Sequence, residues 1–288
     1  VTDKRYSLGR IALDWLKDAL HAQETGGLSW HMSAWLSRKR WEPTQKSIDD
    51  FLMRHQVSQS ELLLIGGSAG WMMSSSWLSQ FKKIKVIDID PLAPLFFYIN
   101  HGKSLRKSGT AWGFERRDGI RELSLLIKEY PESFIWFDNV LGQQCFKLKD
   151  EDLVLRQLKH IKVILKNSHW GSIHDWLSGP VDESLAQSPS TSCLSGNANS
   201  IAFGKTKDTE NTDPNSLILN NQEMRFDEGT QILLNQVNAT GEWQDHLSAE
   251  VFSDYQSCQL FPWYFKPAYC HFLIASFIQP EEMKNPSV

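Results

Sequence analysis

Several short polar clusters in this chain combine residue types that can do chemistry, and each follows an apolar run. Leu63-Leu64-Ile65-Gly66-Gly67-Ser68-Ala69-Gly70-Trp71 runs straight from apolar residues into a glycine-rich turn. Glycines suit a backbone that must turn sharply and let a ligand come close, and a helix starting there offers unpaired N–H groups to polar ligand atoms. Asp88-Ile89-Asp90-Pro91 closes the next apolar run. A carboxylate there can accept hydrogen bonds from two neighbouring hydroxyls, such as those of a ribose. Asp88 ends the run directly and suits that role, whereas Asp90, just before Pro91, suits a helix N-cap. Asp118, in Arg117-Asp118-Gly119-Ile120, can accept from the exocyclic amine of an adenine, cap the following helix, or do both. Asp138 opens Asp138-Asn139-Val140-Leu141-Gly142-Gln143 after a further apolar run, and His174-Asp175 follows another. His174 suits a general base for a hydroxyl or amine. Alternatively, Asp138 and Asp175 could ligate a divalent cation, or Asp175 caps a turn and His174 is a satisfied core residue.

These clusters need elements that bring them together. Glu61-Leu62-Leu63-Leu64-Ile65, Ile84 to Ile87, Thr110 to Phe114 and Ser133 to Phe137 read as strands. Their continuous apolar character suits parallel strands covered on both faces. Helix-length segments separate them: Trp71 to Phe81, Pro91 to Lys103 and Gly119 to Tyr130. Such alternation means a parallel sheet with crossover helices. Glu151 to Leu165 is a further helix, and Trp170 to Ile173 a fifth strand ending at His174-Asp175. Before this region, residues 1–56 read as a helical extension, broken at Gly26-Gly27 and turned at Pro43. The Ser/Asn-rich stretch of about 184–216 reads as a long polar, mobile insertion. Cys258 to Phe265 and Tyr269 to Ile278 flank Lys266-Pro267 and read as a hairpin, and Asp245-His246 before it either faces the cleft or, as the favoured reading, lies in a polar loop. Residues 57–288 then form one α/β domain. Its fold class is a doubly wound, mostly parallel seven-stranded sheet with helices on both faces, an antiparallel C-terminal hairpin and the N-terminal helical extension.

The order and spacing of these features resemble the class I, Rossmann-like methyltransferases that use S-adenosylmethionine. The resemblance spans roughly residues 60 to 180, extending to the C-terminal hairpin. It implies S-adenosylmethionine as cofactor, with Gly66, Gly67, Ser68 and Gly70 cradling its methionine part. Asp88 would hold the ribose, Asp118 touch the adenine, and Asp138 lie near the methionine and the acceptor. His174, Asp138 and Asp175 are then the candidate catalytic residues. The family motif is an acidic residue followed by G-x-G-x-G. Here Leu64 takes the acidic slot and Ser68 the middle glycine slot. The activity implied is methyl transfer to an O or N atom of an acceptor, small molecule or macromolecule. The alternatives are an inactive cofactor- or partner-binding protein, and an enzyme like the aminopropyltransferases. No N/D-P-P-Y/F signature follows the fourth strand, which argues against methylation of base amines. A dinucleotide would want G-x-G-x-x-G, which the turn does not supply.

The 288 residues, 41% hydrophobic and 22% charged with a net charge of −4, are those of an ordinary globular protein, with no strong nucleic-acid signal. Four widely spaced cysteines without a C-x-x-C pair imply reduced thiols and no zinc ribbon. The N-terminal residues lead into no apolar leader, and no apolar run reaches membrane-spanning length, so a cytoplasmic protein with no membrane partner is expected. No metal is assigned. Twelve tryptophans are expected mainly as large core residues.

Overall fold

The computed structural model describes residues 26–182, 217–219, 222–224, 228–252 and 257–280. Of these, 26–39 and 48–138 form one compact unit, and 40–47 with the residues from 139 onward form a second. The expected insertion at about 184–216, and the first 25 residues of the helical extension, lie outside the described residues.

In the first unit the apolar runs become β1 (Glu61–Ile65), β2 (Lys83–Asp88), β3 (Ala111–Arg116) and β4 (Phe134–Asp138). Leu62 to Ile65 and the whole of β4 are buried without alternation, as a strand covered on both faces requires. All the pairings are parallel, in the order β3-β2-β1-β4. The chain therefore steps outward from β1 to β3, then returns to the other side of β1. That reversal is a topological switch point, beside which open α/β sheets bind ligands at the carboxyl ends of their strands. Helix α1 (Gly27–Arg54) precedes the sheet, and the connecting helices are α2 (Ser75–Leu78), α3 (Ala93–Phe97), α4 (Lys103–Ser108) and α5 (Leu123–Glu129). Ser74 caps α2 by accepting from the Trp77 N–H. A π-helical turn, Tyr98–Gly102, joins α3 to α4, a deformation often found at functional sites.

Pro43 does not turn the chain. It lies inside α1, a continuous helix of 28 residues. Proline removes one helical hydrogen bond, so other contacts must hold the chain helical there. Trp41 Nε1 donates to the Phe265 carbonyl at 3.0 Å and Thr44 Oγ1 to that of Pro262 at 2.7 Å, both within the second unit.

The second unit adds α6 (Gln144–Leu148), α7 (Glu151–Ile164), β5 (Trp170–Pro180), β6 (Leu217–Leu219), β7 (Gln222–Met224), α8 (Glu228–Gln236), β8 (Glu242–Asp245), β9 (Gln259–Lys266) and β10 (Tyr269–Ile278). Asp150 caps α7 through the Leu153 N–H, and Val154, Leu158 and Ile161 form its buried stripe. The antiparallel hairpin β9–β10 is as expected, and β10 runs antiparallel along the length of β5. β5 differs from expectation by continuing to Pro180, so His174 and Asp175 sit within it instead of at its end. A register shift opposite Phe272 and Leu273 leaves Trp176 as an extra residue on β5, a bulge of the kind that re-aims neighbouring side chains. The short strands β7 and β8 were not read from the sequence. β8 includes Asp245, and His246 is fully buried, which replaces the polar loop expected there. Among the described residues no helix is long and apolar enough to cross a membrane.

Candidate functional site

The glycine turn follows β1 directly. Gly66 and Gly70 have φ of 73° and 64°, and Ser68, in the middle glycine slot, has φ of 41°. All three therefore use the left-handed backbone region that a glycine enters most easily. Gly67 needs its missing side chain for a different reason: a Cβ there would lie 2.7 Å from Leu64 Cδ2 and 2.9 Å from Val86 Cγ1. A Cβ on Gly70 would meet the His101 ring. The π-helical turn holds this loop from the side. Asn100 Nδ2 donates to the Ala69 carbonyl at 2.9 Å, and His101 Nε2 to that of Gly70 at 3.0 Å. His101 Nδ1 is then left to accept from Ser75 Oγ, 2.9 Å away. Burial pushes the His101 imidazole down to about 4, consistent with this neutral tautomer.

Asp88 ends β2 and is buried. Its Oδ2 accepts from the Ser68 N–H at 2.7 Å and its Oδ1 from the Asp90 N–H at 2.8 Å. Burial pushes its carboxyl up to about 6, and these backbone donors counteract part of that rise. Asp90 is more deeply enclosed and fully occupied with structure. Its Oδ1 takes the Leu92 N–H at 2.8 Å, opening the turn before α3, while Oδ2 takes the Gly27 N–H at 2.9 Å and His31 Nε2 at 3.0 Å. His31 Nδ1 accepts from Trp71 Nε1 at 3.3 Å, and the imidazole stacks on Phe96 with ring centroids 4.1 Å apart. Trp30 Nε1 reaches Ser68 Oγ at 3.3 Å. The first turns of α1 are thereby fastened to the glycine loop and to the end of β2.

Asp118 follows β3 and is partly exposed. Its Oδ1 accepts from the Ile120 and Arg121 N–H groups, each at 3.1 Å, which makes it a cap for the following turn. Its Oδ2 has no partner among the described residues. A Cβ on the adjacent Gly119 would collide with Ile65 Cγ2, so this turn lies against the end of β1. Asp138 is buried at the end of β4. Thus Gly66, Gly67, Ser68, Gly70, Asp88, Asp118 and Asp138 share the carboxyl edge of the four parallel strands.

No protein-family model matches the chain, and no curated protein sequence does. Solved structures that match the chain at a distance include methyltransferases. An S-adenosylmethionine-dependent methyltransferase from Clostridium acetobutylicum is 12% identical, with a TM-score of 0.31 over 59% of this chain and 58% of that one. Another from Aquifex aeolicus is 12% identical, with a TM-score of 0.33 over 85% and 98%. An O-methyltransferase from Bacillus cereus, in complex with S-adenosylhomocysteine, is 10% identical, with a TM-score of 0.34 over 96% and 93%. The chain spans under two thirds of the first of these proteins. Similarity this distant leaves function to be argued from the residues themselves.

The second unit contains a separate polar cluster around Asp175. Asn139, at φ of 56°, clamps this residue: its Nδ2 donates to Asp175 Oδ2 at 3.1 Å, and its Oδ1 accepts the Asp175 N–H at 2.9 Å. His271 Nδ1 lies 3.0 Å from Asp175 Oδ1. Ser248 Oγ donates to the Asp175 carbonyl at 2.5 Å. Burial alone would raise the Asp175 carboxyl; the electrostatic pull of His271 and its hydrogen bond, aided by His246 and Asn139, outweigh it and hold the group down to about 2. His246 Nδ1 donates to the Gly142 carbonyl at 3.1 Å, and its Nε2 lies 2.9 Å from Ser178 Oγ, which in turn meets Tyr269 Oη at 3.2 Å.

His174, the neighbour of Asp175, sits differently. Successive strand residues point to opposite faces. The His174 ring is fully buried, pairs with Ser172 Oγ at 2.6 Å and stacks on Phe252. Burial pushes it down to about 3. Among the described residues, no group of three or more His, Cys, Asp or Glu is placed to hold a metal ion. His31, His101, Asn139 and His271 escaped the sequence reading. Asn139 adjoins Asp138 in a candidate cluster; the three histidines are isolated, with no informative spacing to other polar residues.

Proposed function

We propose that this chain binds S-adenosylmethionine on its first unit and transfers the methyl group to an O or N atom of an acceptor. The observation that supports this is the gathering of the glycine turn, Asp88, Asp118 and Asp138 at the carboxyl edge beside the β1/β4 switch point. In this reading Gly66, Gly67, Ser68 and Gly70 hold the methionine part, with Asp138 near the sulfonium. The residues present fit the cofactor. Each Asp88 oxygen accepts one backbone N–H, and an ionised carboxylate retains acceptor capacity for the two ribose hydroxyls. Asp118 Oδ2 is free for the adenine amine while Oδ1 caps the turn. The cofactor supplies an activated methyl group on a positive sulfur; the protein's contribution is positioning.

The test is titration calorimetry with S-adenosylmethionine and S-adenosylhomocysteine, using Asp88→Ala as control. Saturable binding lost in the variant supports the site. Failure of both ligands to bind the wild-type protein refutes it. The departures at Leu64 and Ser68 favour a second reading, a binding-only domain; it predicts saturable binding without turnover of any acceptor.

A further inference from the structure

The second unit offers a site that the cofactor reading does not use. We propose that His271, oriented by Asp175, is the proton-accepting group of a binding site for a hydroxylated aromatic ligand. The proposal stands on second-unit residues alone and does not depend on cofactor binding.

The tautomer of His271 follows from its partner. An ionised carboxylate only accepts hydrogen bonds, so the ring nitrogen 3.0 Å from Asp175 Oδ1 carries the proton. In the neutral imidazole Nε2 then presents a lone pair. The bond made by one ring nitrogen sets the role of the other. Asp175 cannot swing away, because Asn139 grips both its carboxylate and its N–H, and Ser248 holds its carbonyl. Packing reinforces this: a Cβ on Gly142 would lie 2.6 Å from the Asp175 carbonyl oxygen.

His271 Nε2 is available. It has no hydrogen-bond partner among the described residues, and the side chain keeps 13% of its exposure. His174 lacks this access. The setting of His271 is aromatic, with the Trp263, Phe265 and Tyr269 rings at centroid distances of 5.3, 5.1 and 5.4 Å. Such faces favour a flat ligand. The other ionisable groups facing the ring are His246, 6.2 Å away, and Tyr269, over which Lys266 Nζ lies at 4.8 Å.

On binding, the proton of a ligand O–H moves to Nε2, and the O–H electron pair stays on the ligand oxygen. The imidazolium so formed keeps its Nδ1–H bond to Asp175, whose negative charge offsets the new positive one. Nothing is oxidised or reduced.

The probe is 4-nitrophenol, whose phenolate has its own absorption band. The 288-residue chain is titrated with it at a pH one unit below the free phenol's ionisation. The expected result is a saturable rise of the phenolate band, lost in His271→Gln. Glutamine can still donate to Asp175 but cannot take a proton, and circular dichroism checks its fold. Nitrogen NMR supplies the second readout on the wild-type protein above the titration range of histidine: His271 should be protonated at Nδ1 and bare at Nε2. A protonated Nε2, a flat phenolate titration, or an equal rise in His271→Gln each overturns the proposal.

Discussion

Replacing Asp88 by asparagine separates the two effects of one buried carboxylate. Burial raises this group to about 6 from an ordinary 3.8. The native state therefore holds the proton more tightly than the unfolded chain does. The stabilisation from that proton is fully present below about pH 3.8 and is lost as pH rises through about 6. The gap between about 6 and 3.8, at ~1.4 kcal/mol per pH unit, makes the loss about 3 kcal/mol. Asparagine does not titrate. Its carbonyl can serve one of the two backbone donors now bonded to Asp88, but its amide confronts the other, at a pH-independent cost of ~1–3 kcal/mol. Urea denaturation of both proteins between pH 4 and pH 7, followed by tryptophan fluorescence, gives the difference in stability; other titrating groups cancel in it. Wild-type stability relative to Asp88→Asn should fall by about 2 kcal/mol across that range, since at pH 4 the unfolded carboxyl is already partly ionised. Parallel curves would refute the reasoning. Binding moves the opposite way: at neutral pH the variant loses a charged acceptor, so affinity for S-adenosylhomocysteine should drop ~10–100-fold. An unchanged affinity removes Asp88 from the ribose role.

Gly70→Ala forces a side chain onto φ of 64° and into the His101 ring. Strain of ~1–2 kcal/mol and overpacking of ~1–3 kcal/mol should together cost about 2–5 kcal/mol in a urea midpoint measurement, and a loss below 1 kcal/mol would contradict the packing described. Asp175 behaves oppositely to Asp88. Its carboxyl is held down to about 2 from an ordinary 3.8, so its contribution is present above about pH 3.8 and lost as pH falls through about 2. The advantage of wild type over Asp175→Asn should thus shrink by about 2 kcal/mol between pH 5 and pH 2 in denaturation curves, and an advantage that does not change on acidification would undo the assigned His271–Asp175 pairing.

The parallel strands were legible because both their faces are covered: the apolar runs at Leu62 to Ile65 and Phe134 to Phe137 have no other economical reading. The polar edge was legible because each cluster ends such a run. What escaped had its cause in distant contacts. Helix continuity through Pro43 depends on carbonyls of Phe265 and Pro262, far away in sequence. The extension of β5 past Asp175 depends on pairing with β10, and no local propensity reports it. His271 gains its meaning only through that pairing, which brings it to Asp175 across two strands. His174 was the more visible candidate because it adjoins an aspartate in sequence, yet adjacency in a strand sends the two side chains to opposite faces.

The altered glycine motif bears on whether the domain can still hold its cofactor. A missing glycine matters only if its replacement cannot take the backbone conformation that the turn requires. Ser68 does take it, with φ of 41°. Its N–H is tied to Asp88 and its Oγ to Trp30, so tertiary contacts hold what glycine would adopt freely. The loop is also pinned by Asn100 and His101, which act without any acidic residue at the Leu64 position. Ser68→Gly should therefore change little. Release from left-handed strain, ~1–2 kcal/mol, is offset by the added freedom of the unfolded glycine, ~0.4–1 kcal/mol, and by the lost bond from Trp30, ~0.5–1.5 kcal/mol. Stability should stay within about 1 kcal/mol, and affinity for S-adenosylhomocysteine within about fivefold, the binding equivalent of the same energy. A variant that folds with unchanged stability but binds much more tightly would show that serine, and not the backbone, weakens the site, which would move the argument toward a domain in which cofactor affinity has been reduced.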